Sequence, residues 1–69
     1  MITGRRAADL SERERQVLLL IAEGHTDAEI SGRLCLSVFT VRNHVKSILR
    51  KLNARNRTQA STIYLQRNS

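Results

Sequence analysis

The residues from 38 to 52 combine side chains that could recognise nucleic-acid bases. At about 100° per residue along a helix, one side of this segment carries Phe39, Arg42, Asn43, Lys46 and Arg50 and has no acidic residue. Arginine and lysine donate to O6 and N7 of guanine, asparagine pairs with N6 and N7 of adenine, and a ring contacts the thymine methyl. We therefore predict that Arg42, Asn43, Lys46 and Phe39, in the N-terminal part of the helix, contact base edges of double-stranded DNA.

Each of these residues also has a less specific interpretation. Arg42, Lys46 and Arg50 are four residues apart, where like charges on a helix repel, and an external anion explains that spacing better than plain solvation. Arg50 and the neighbouring Lys51 lie further along the helix and are predicted to contact phosphates. Phe39 fits equally well as a minor core residue that closes over the preceding turn.

The histidines and the single cysteine do not form a recognisable metal site. His44 has no second ligand at a useful spacing, His25 lies before another helix, and Cys35 is alone. We predict no metal, no cofactor and no small-molecule ligand, and we expect His44 to pack or to touch a phosphate. The sequence has no nucleophile with a base partner, no paired carboxylates and no glycine-rich phosphate loop, so an enzyme is not predicted.

The net charge of +6 at pH 7 is concentrated in the second half of the chain. Residues 37–69 contain seven lysines and arginines and no aspartate or glutamate, whereas residues 1–36 have a net charge of −1. A basic half without acids indicates a polyanionic partner, of which nucleic acid is the first candidate. A solvated face kept for solubility and a surface for an acidic protein are the alternatives.

The rest of the sequence predicts an all-α four-helix bundle, with helices at about residues 12–23, 27–34, 38–52 and 57–66. Each helix begins with a polar N-cap, and those of the first two have a glutamate three residues later; the four caps are Ser11, Thr26, Ser37 and Asn56. Opposite its polar side, the third helix carries an apolar stripe of Val38, Val41, Val45, Ile48, Leu49 and Leu52.

The connections between the helices carry further signals. Gly24 is predicted to end the first helix in the left-handed conformation. Only residues 35–37 join the second and third helices, which favours the sharp crossing of a helix-turn-helix over an ordinary helical hairpin. Gly32 costs its helix about 1 kcal/mol relative to alanine. It therefore suggests close packing against a neighbouring helix. The alternative is a glycine that destabilises the helix without any packing role.

Length and hydropathy predict one domain at residues 10–69, preceded by a flexible basic arm or linker at residues 1–9. No apolar run approaches the about 20 residues of a membrane span, and the N-terminus lacks a signal core. We therefore expect no membrane partner. The lone cysteine fits a reducing cytoplasm.

From Leu10 to Ala60 the sequence resembles the LuxR-type (GerE-like) helix-turn-helix domain. The matching motifs are L-S-x-R-E-x-x-V-L, T-x-x-E-I, S-x-x-T-V-R-x-H-V-x-x-I-x-x-K-L and N-R-T-Q-A, one in each helix in turn. The resemblance implies the output domain of a bacterial transcription regulator, located at the cytoplasmic nucleoid, with RNA polymerase as a further candidate partner. A promoter-recognising region of a sigma factor shares some of these signals, but N-R-T-Q-A argues against it.

The resemblance also implies roles for individual positions. Arg42, Asn43 and Lys46 match base-facing positions of the family. The positions that match sites near the DNA backbone are Thr26, Ser37, Thr40, His44 and Lys51. The fourth helix commonly forms the dimer contact, and its outer face here would be Thr58, Ser61, Thr62 and Leu65, a small-residue surface suited to a homodimer or to plain solvent exposure.

The chain departs from the family pattern at three places. Asp27 stands where asparagine is usual, which brings a negative charge towards the phosphates. Ser31 and Gly32 replace what is more often alanine, and Phe39 is bulky for its position.

Overall fold

The computed structural model describes residues 10–67, of which Arg67 is described by its backbone alone, and this part of the chain contains four helices and no strand. They are α1 (Glu12–Ala22), α2 (Asp27–Leu34), α3 (Val38–Leu52) and α4 (Arg57–Arg67). The predicted all-α fold is confirmed, with α1 ending one residue earlier and α4 one residue later than expected. The proposed arm at residues 1–9 lies outside the described residues, and the division into arm and domain stays a prediction.

The first two helices begin with the predicted capping boxes. The Ser11 hydroxyl accepts from the Glu14 amide at 3.1 Å, while the Glu14 carboxylate accepts from the Ser11 amide at 2.9 Å. Thr26 and Glu29 repeat this pair of bonds at the start of α2, at 3.1 and 2.9 Å. Because the two bonds of each box satisfy amides that no helical carbonyl can reach, they fix where α1 and α2 start.

The last two helices begin with single caps. Ser37 accepts from the Thr40 amide at 3.0 Å at the start of α3. At the start of α4, Asn56 accepts from the Gln59 amide at 2.8 Å. Gln59 does not complete a box with Asn56, because its side-chain oxygen accepts from the amide of Arg55 at 2.6 Å.

Three residues with positive φ end the first three helices. Gly24 has φ 94°, as the sequence predicts, whereas Cys35 at φ 57° and Asn53 at φ 56° are side-chain-bearing residues in the same region. The Leu36 amide donates to the Ser31 carbonyl at 3.0 Å across the end of α2. This left-handed turn ends α2 and leaves only residues 35–37 before α3 begins, a short connection that is typical of a helix-turn-helix.

The core lies where all four helices meet. Its fully buried large side chains come from α1, α2 and α3: Val17, Leu18, Ile30, Val41 and Ile48. Helix α4 adds buried Ala60, with Ile63 and Tyr64 packed against the cluster. The apolar stripe of α3 therefore faces inward, and this docks the helix with its polar side outward.

Gly32 does not lie at a helix contact. It is exposed, and apart from its chain neighbours and its own helix backbone, a Cβ built on it would meet no heavy atom within 4 Å. The predicted close packing is therefore wrong. The reason is periodicity, because α2 turns Ile30 and half-buried Leu34 towards the core and the residue midway between them points to solvent.

Candidate nucleic-acid interface

The polar side of α3 forms a continuous exposed face, here called the reading face: Phe39, Arg42, Asn43, Lys46 and Arg50. Phe39 is 73% exposed, so it does not close over the turn as a core residue. Val41, Ile48 and Leu52 are buried on the opposite side and hold the helix in place. The arrangement presents three cations, one amide and one ring to a partner. Their contacts to DNA remain predictions.

The flank of α3 carries Thr40 and His44, both half-buried beside the reading face. The Ser37 hydroxyl donates to the Thr40 hydroxyl oxygen at 3.0 Å while it caps the helix. Thr26 and Ser37 are exposed and serve as N-cap acceptors of α2 and α3. Helix N-termini and exposed hydroxyls are suitable partners for phosphate oxygens. The predicted backbone-contacting role of these four residues stays a prediction.

Asp27, the first residue of α2, joins the reading face to α4. Its Oδ1 accepts from Nη1 of Arg57 at 2.6 Å, and its Oδ2 lies 3.5 Å from Nε of Arg42. A further bond of 3.4 Å joins Nη2 of Arg57 to the carbonyl of His25. The hydrogen bond from Arg57 holds the pKa of Asp27 below its ordinary value, against the opposing effect of burial, and Arg42 adds to the lowering. The carboxylate therefore stays ionised at neutral pH.

Lys51 is engaged by the protein itself. Its Nζ lies 2.9 Å from Oε1 of Glu14, whose other oxygen accepts from the Ser47 hydroxyl at 2.6 Å. Burial would raise the pKa of Glu14, but the bonds from Ser47, Lys51 and the Ser11 amide lower it to about 2. A phosphate contact by Lys51, which stays a prediction, would have to share this ammonium group.

Sequence reasoning assigned Glu14 only to the cap of α1 and missed this cluster. Ser47 and Lys51 are four residues apart on α3, so they lie above one another on the same helix edge. That spacing, next to the apolar stripe, was the available signal for a buried acidic partner. The sequence did not indicate which carboxylate would occupy the place.

The outer side of α4 is partly exposed. Thr58, Thr62 and Leu65 are exposed and Ser61 is half-buried. The hydroxyls of Ser61 and Thr62 donate to the carbonyls four residues earlier, at 3.0 and 3.1 Å. These bonds satisfy the hydroxyl protons within the helix. A dimer contact through this side stays a prediction.

None of the helices between residues 10 and 67 is long and apolar enough to cross a membrane. In the same range, no three side chains of histidine, cysteine, aspartate or glutamate come together as a metal site would need.

Comparison with known proteins identifies a family and individual proteins to which this chain is similar. Residues 8–64 match the GerE family, described as bacterial regulatory proteins of the luxR family. Over 59 residues the chain is 46% identical to the transcriptional regulatory protein LiaR of Bacillus subtilis (strain 168). It is 44% identical to the response regulator protein VraR of Staphylococcus aureus (strain Mu3 / ATCC 700698), also over 59 residues. Each match covers 86% of this chain, and the chain spans 28% of the length of each relative.

Proposed function

This chain belongs to the luxR family of bacterial regulatory proteins, and from that premise we propose that it binds specific double-stranded DNA sequences as the output domain of a transcription regulator. The observation that carries the proposal is the reading face, an exposed and acid-free side of α3 opposite a buried apolar stripe. A helix docked in this way can enter the major groove, where each base pair presents a distinct pattern of donors and acceptors.

The proposed base contacts come from the N-terminal part of the reading face. Arg42 and Lys46 would donate to guanine, Asn43 would pair with adenine, and Phe39 would touch a thymine methyl. In a helix-turn-helix the N-terminal residues of the recognition helix contact the base edges. All four side chains are exposed, so none has to leave a packed position to reach a base.

The proposed phosphate contacts surround the reading face. Exposed Arg50 is the strongest candidate for such a contact, because it forms no ion pair with an acidic residue among residues 10–67. The other proposed backbone-contacting residues are Thr26, Ser37, Thr40, His44 and Lys51, with Lys51 limited by its bond to Glu14. Phosphate contacts supply most of the affinity and make it fall steeply with salt.

The proposed assembly is a homodimer. A homodimer through Thr58, Ser61, Thr62 and Leu65 of α4 would place two copies of α3 on half-sites related by two-fold symmetry. The regulator would act at the cytoplasmic nucleoid, where RNA polymerase is its candidate partner. No enzymatic activity is proposed.

The test begins with selection of bound sites from a random DNA pool by the full chain. Lys46→Ala should weaken the free energy of binding to the selected site by about 1–3 kcal/mol, because a base contact is lost. The loss on random DNA should be smaller. Arg50→Ala should weaken both complexes alike. Arg13→Ala is the matched control, since it removes one exposed cation from α1. Equal losses for Lys46→Ala on both DNAs would show that Lys46 contacts phosphate instead, and failure to select any sequence would refute the proposed function.

A further inference from the structure

Asp27 contacts two arginines that differ in distance and exposure. Arg57 lies 2.6 Å from one carboxylate oxygen and its side chain is 37% exposed. Arg42 lies 3.5 Å from the other oxygen and its side chain is 68% exposed. Asp27 itself is 21% exposed, so it is held mainly by Arg57. The contact to Arg42 is the longer and more solvated of the two.

The atom of Arg42 that faces Asp27 decides what the arginine can still do. Asp27 approaches Nε, on the inner side of the guanidinium group. Within residues 10–67, the two terminal nitrogens of Arg42 have no hydrogen-bond acceptor. The two terminal nitrogens of an arginine can donate together to O6 and N7 of a single guanine. A carboxylate at Nε therefore leaves the pair needed for guanine recognition intact and restricts where it can point.

The charge of Asp27 also acts on DNA that lacks the right base. Its carboxylate borders a face that otherwise contains only cations and neutral groups, and it opposes phosphates that approach α2 and α3. An unrestrained Arg42 would bind a phosphate on any sequence. When Asp27 restricts its orientation, Arg42 binds a guanine in front of its terminal nitrogens more favourably than a phosphate at another position.

On the basis of the proposed DNA-binding function, we propose that Asp27 is a specificity-determining positioning residue. It supports Arg42 through Nε for bidentate recognition of one guanine and lowers affinity for DNA without that guanine. Arg57 is the anchor that keeps the carboxylate in place. Asp27 itself contacts no base.

The test compares wild type with Asp27→Asn by fluorescence anisotropy on the selected duplex, on duplexes with each base pair changed in turn, and on random DNA. Arg42→Ala first identifies the guanine that Arg42 reads, as the position whose replacement no longer matters. In wild type, replacing that guanine should weaken binding about tenfold or more. In Asp27→Asn the penalty should fall to about threefold or less at that position alone, and random-DNA binding should tighten because a repelling charge is gone.

Two controls separate positioning from charge and from stability. Glu12→Gln removes one exposed carboxylate from α1 and changes the net charge by the same amount, and it should leave the guanine penalty unchanged. Combined with Arg42→Ala, Asp27→Asn should produce no further loss of discrimination, because both act through one guanidinium group. A general loss of folding would lower binding to all duplexes alike and would not single out one base pair.

The possible results are distinguishable. If wild type prefers its selected duplex but Asp27→Asn keeps the full guanine penalty, or loses discrimination at every position equally, the role of Asp27 is refuted while the proposed function stands. If Arg42→Ala reveals no guanine, Asp27 has nothing to position and the inference is also refuted. If wild type shows no preference for any duplex, the proposed function itself fails.

Discussion

Replacing Glu14 with glutamine removes the one buried charge described among residues 10–67 and keeps the shape of the side chain. The carboxylate accepts from the Ser11 amide, from Ser47 at 2.6 Å and from Lys51 at 2.9 Å, which ties α3 to the first turn of α1. Glutamine can still accept from the Ser11 amide, but it cannot attract the ammonium group of Lys51 as a charge. The substitution therefore tests how strongly this cluster stabilises the fold.

The magnitude follows from the lowered pKa. Each tenfold change in proton affinity corresponds to about 1.36 kcal/mol, so a fall of the pKa from 4.5 to about 2 represents about 3 kcal/mol. Because the folded-state pKa lies below the unfolded one, this stabilisation is present above pH 4.5 and is lost as the pH falls towards 2. We expect Glu14→Gln to be about 2–3 kcal/mol less stable than wild type at about pH 7. That is a large part of the free energy of unfolding of a small domain.

The assay is urea unfolding followed by far-UV circular dichroism at neutral and at acidic pH. The difference between wild type and Glu14→Gln should shrink steadily once the pH drops below 4.5. Glu12→Gln is the control, because this exposed glutamate in the same turn should change stability by less than about 0.5 kcal/mol. A Glu14→Gln protein as stable as wild type at neutral pH, or a difference that does not depend on pH, would refute this account of the cluster.

Two further substitutions test the backbone of α2 and its end. Gly32→Ala should raise stability by about 1 kcal/mol in urea unfolding, since the added methyl group meets no atom within 4 Å and glycine is a poor helix former; destabilisation would mean that another molecule or segment packs there. Cys35→Gly should raise the melting temperature, with a gain of about 0.5–1 kcal/mol, because it relieves a side chain held at φ 57°; no gain would show that the left-handed turn costs little at this position.

The helices could be predicted from the sequence because their signals are local. Ser11, Thr26, Ser37 and Asn56 each satisfy an amide three residues away, so the cap and its partner are read together. The reading face follows in the same way from the helical period, which separates its polar side chains from Val41 and Ile48. Gly24 is the equivalent case at a helix end, since its missing side chain permits the positive φ that the turn requires.

The parts of the site that could not be predicted join residues far apart in the chain. Asp27 meets Arg57 across 30 residues, and Glu14 meets Lys51 across 37. Which acid meets which base depends on how the helices cross, and composition and spacing do not fix that crossing. The error at Gly32 has a different origin, because the helical period that turns Ile30 and Leu34 towards the core already turns Gly32 to solvent.

The position of Glu14 has a mechanical consequence for the domain. One carboxylate holds both the peptide group at which α1 begins and the C-terminal half of α3. A rotation of the first turn of α1 must therefore drag α3 with it or break these bonds. A force applied to the backbone at Ser11 would therefore act directly on the helix that carries the reading face.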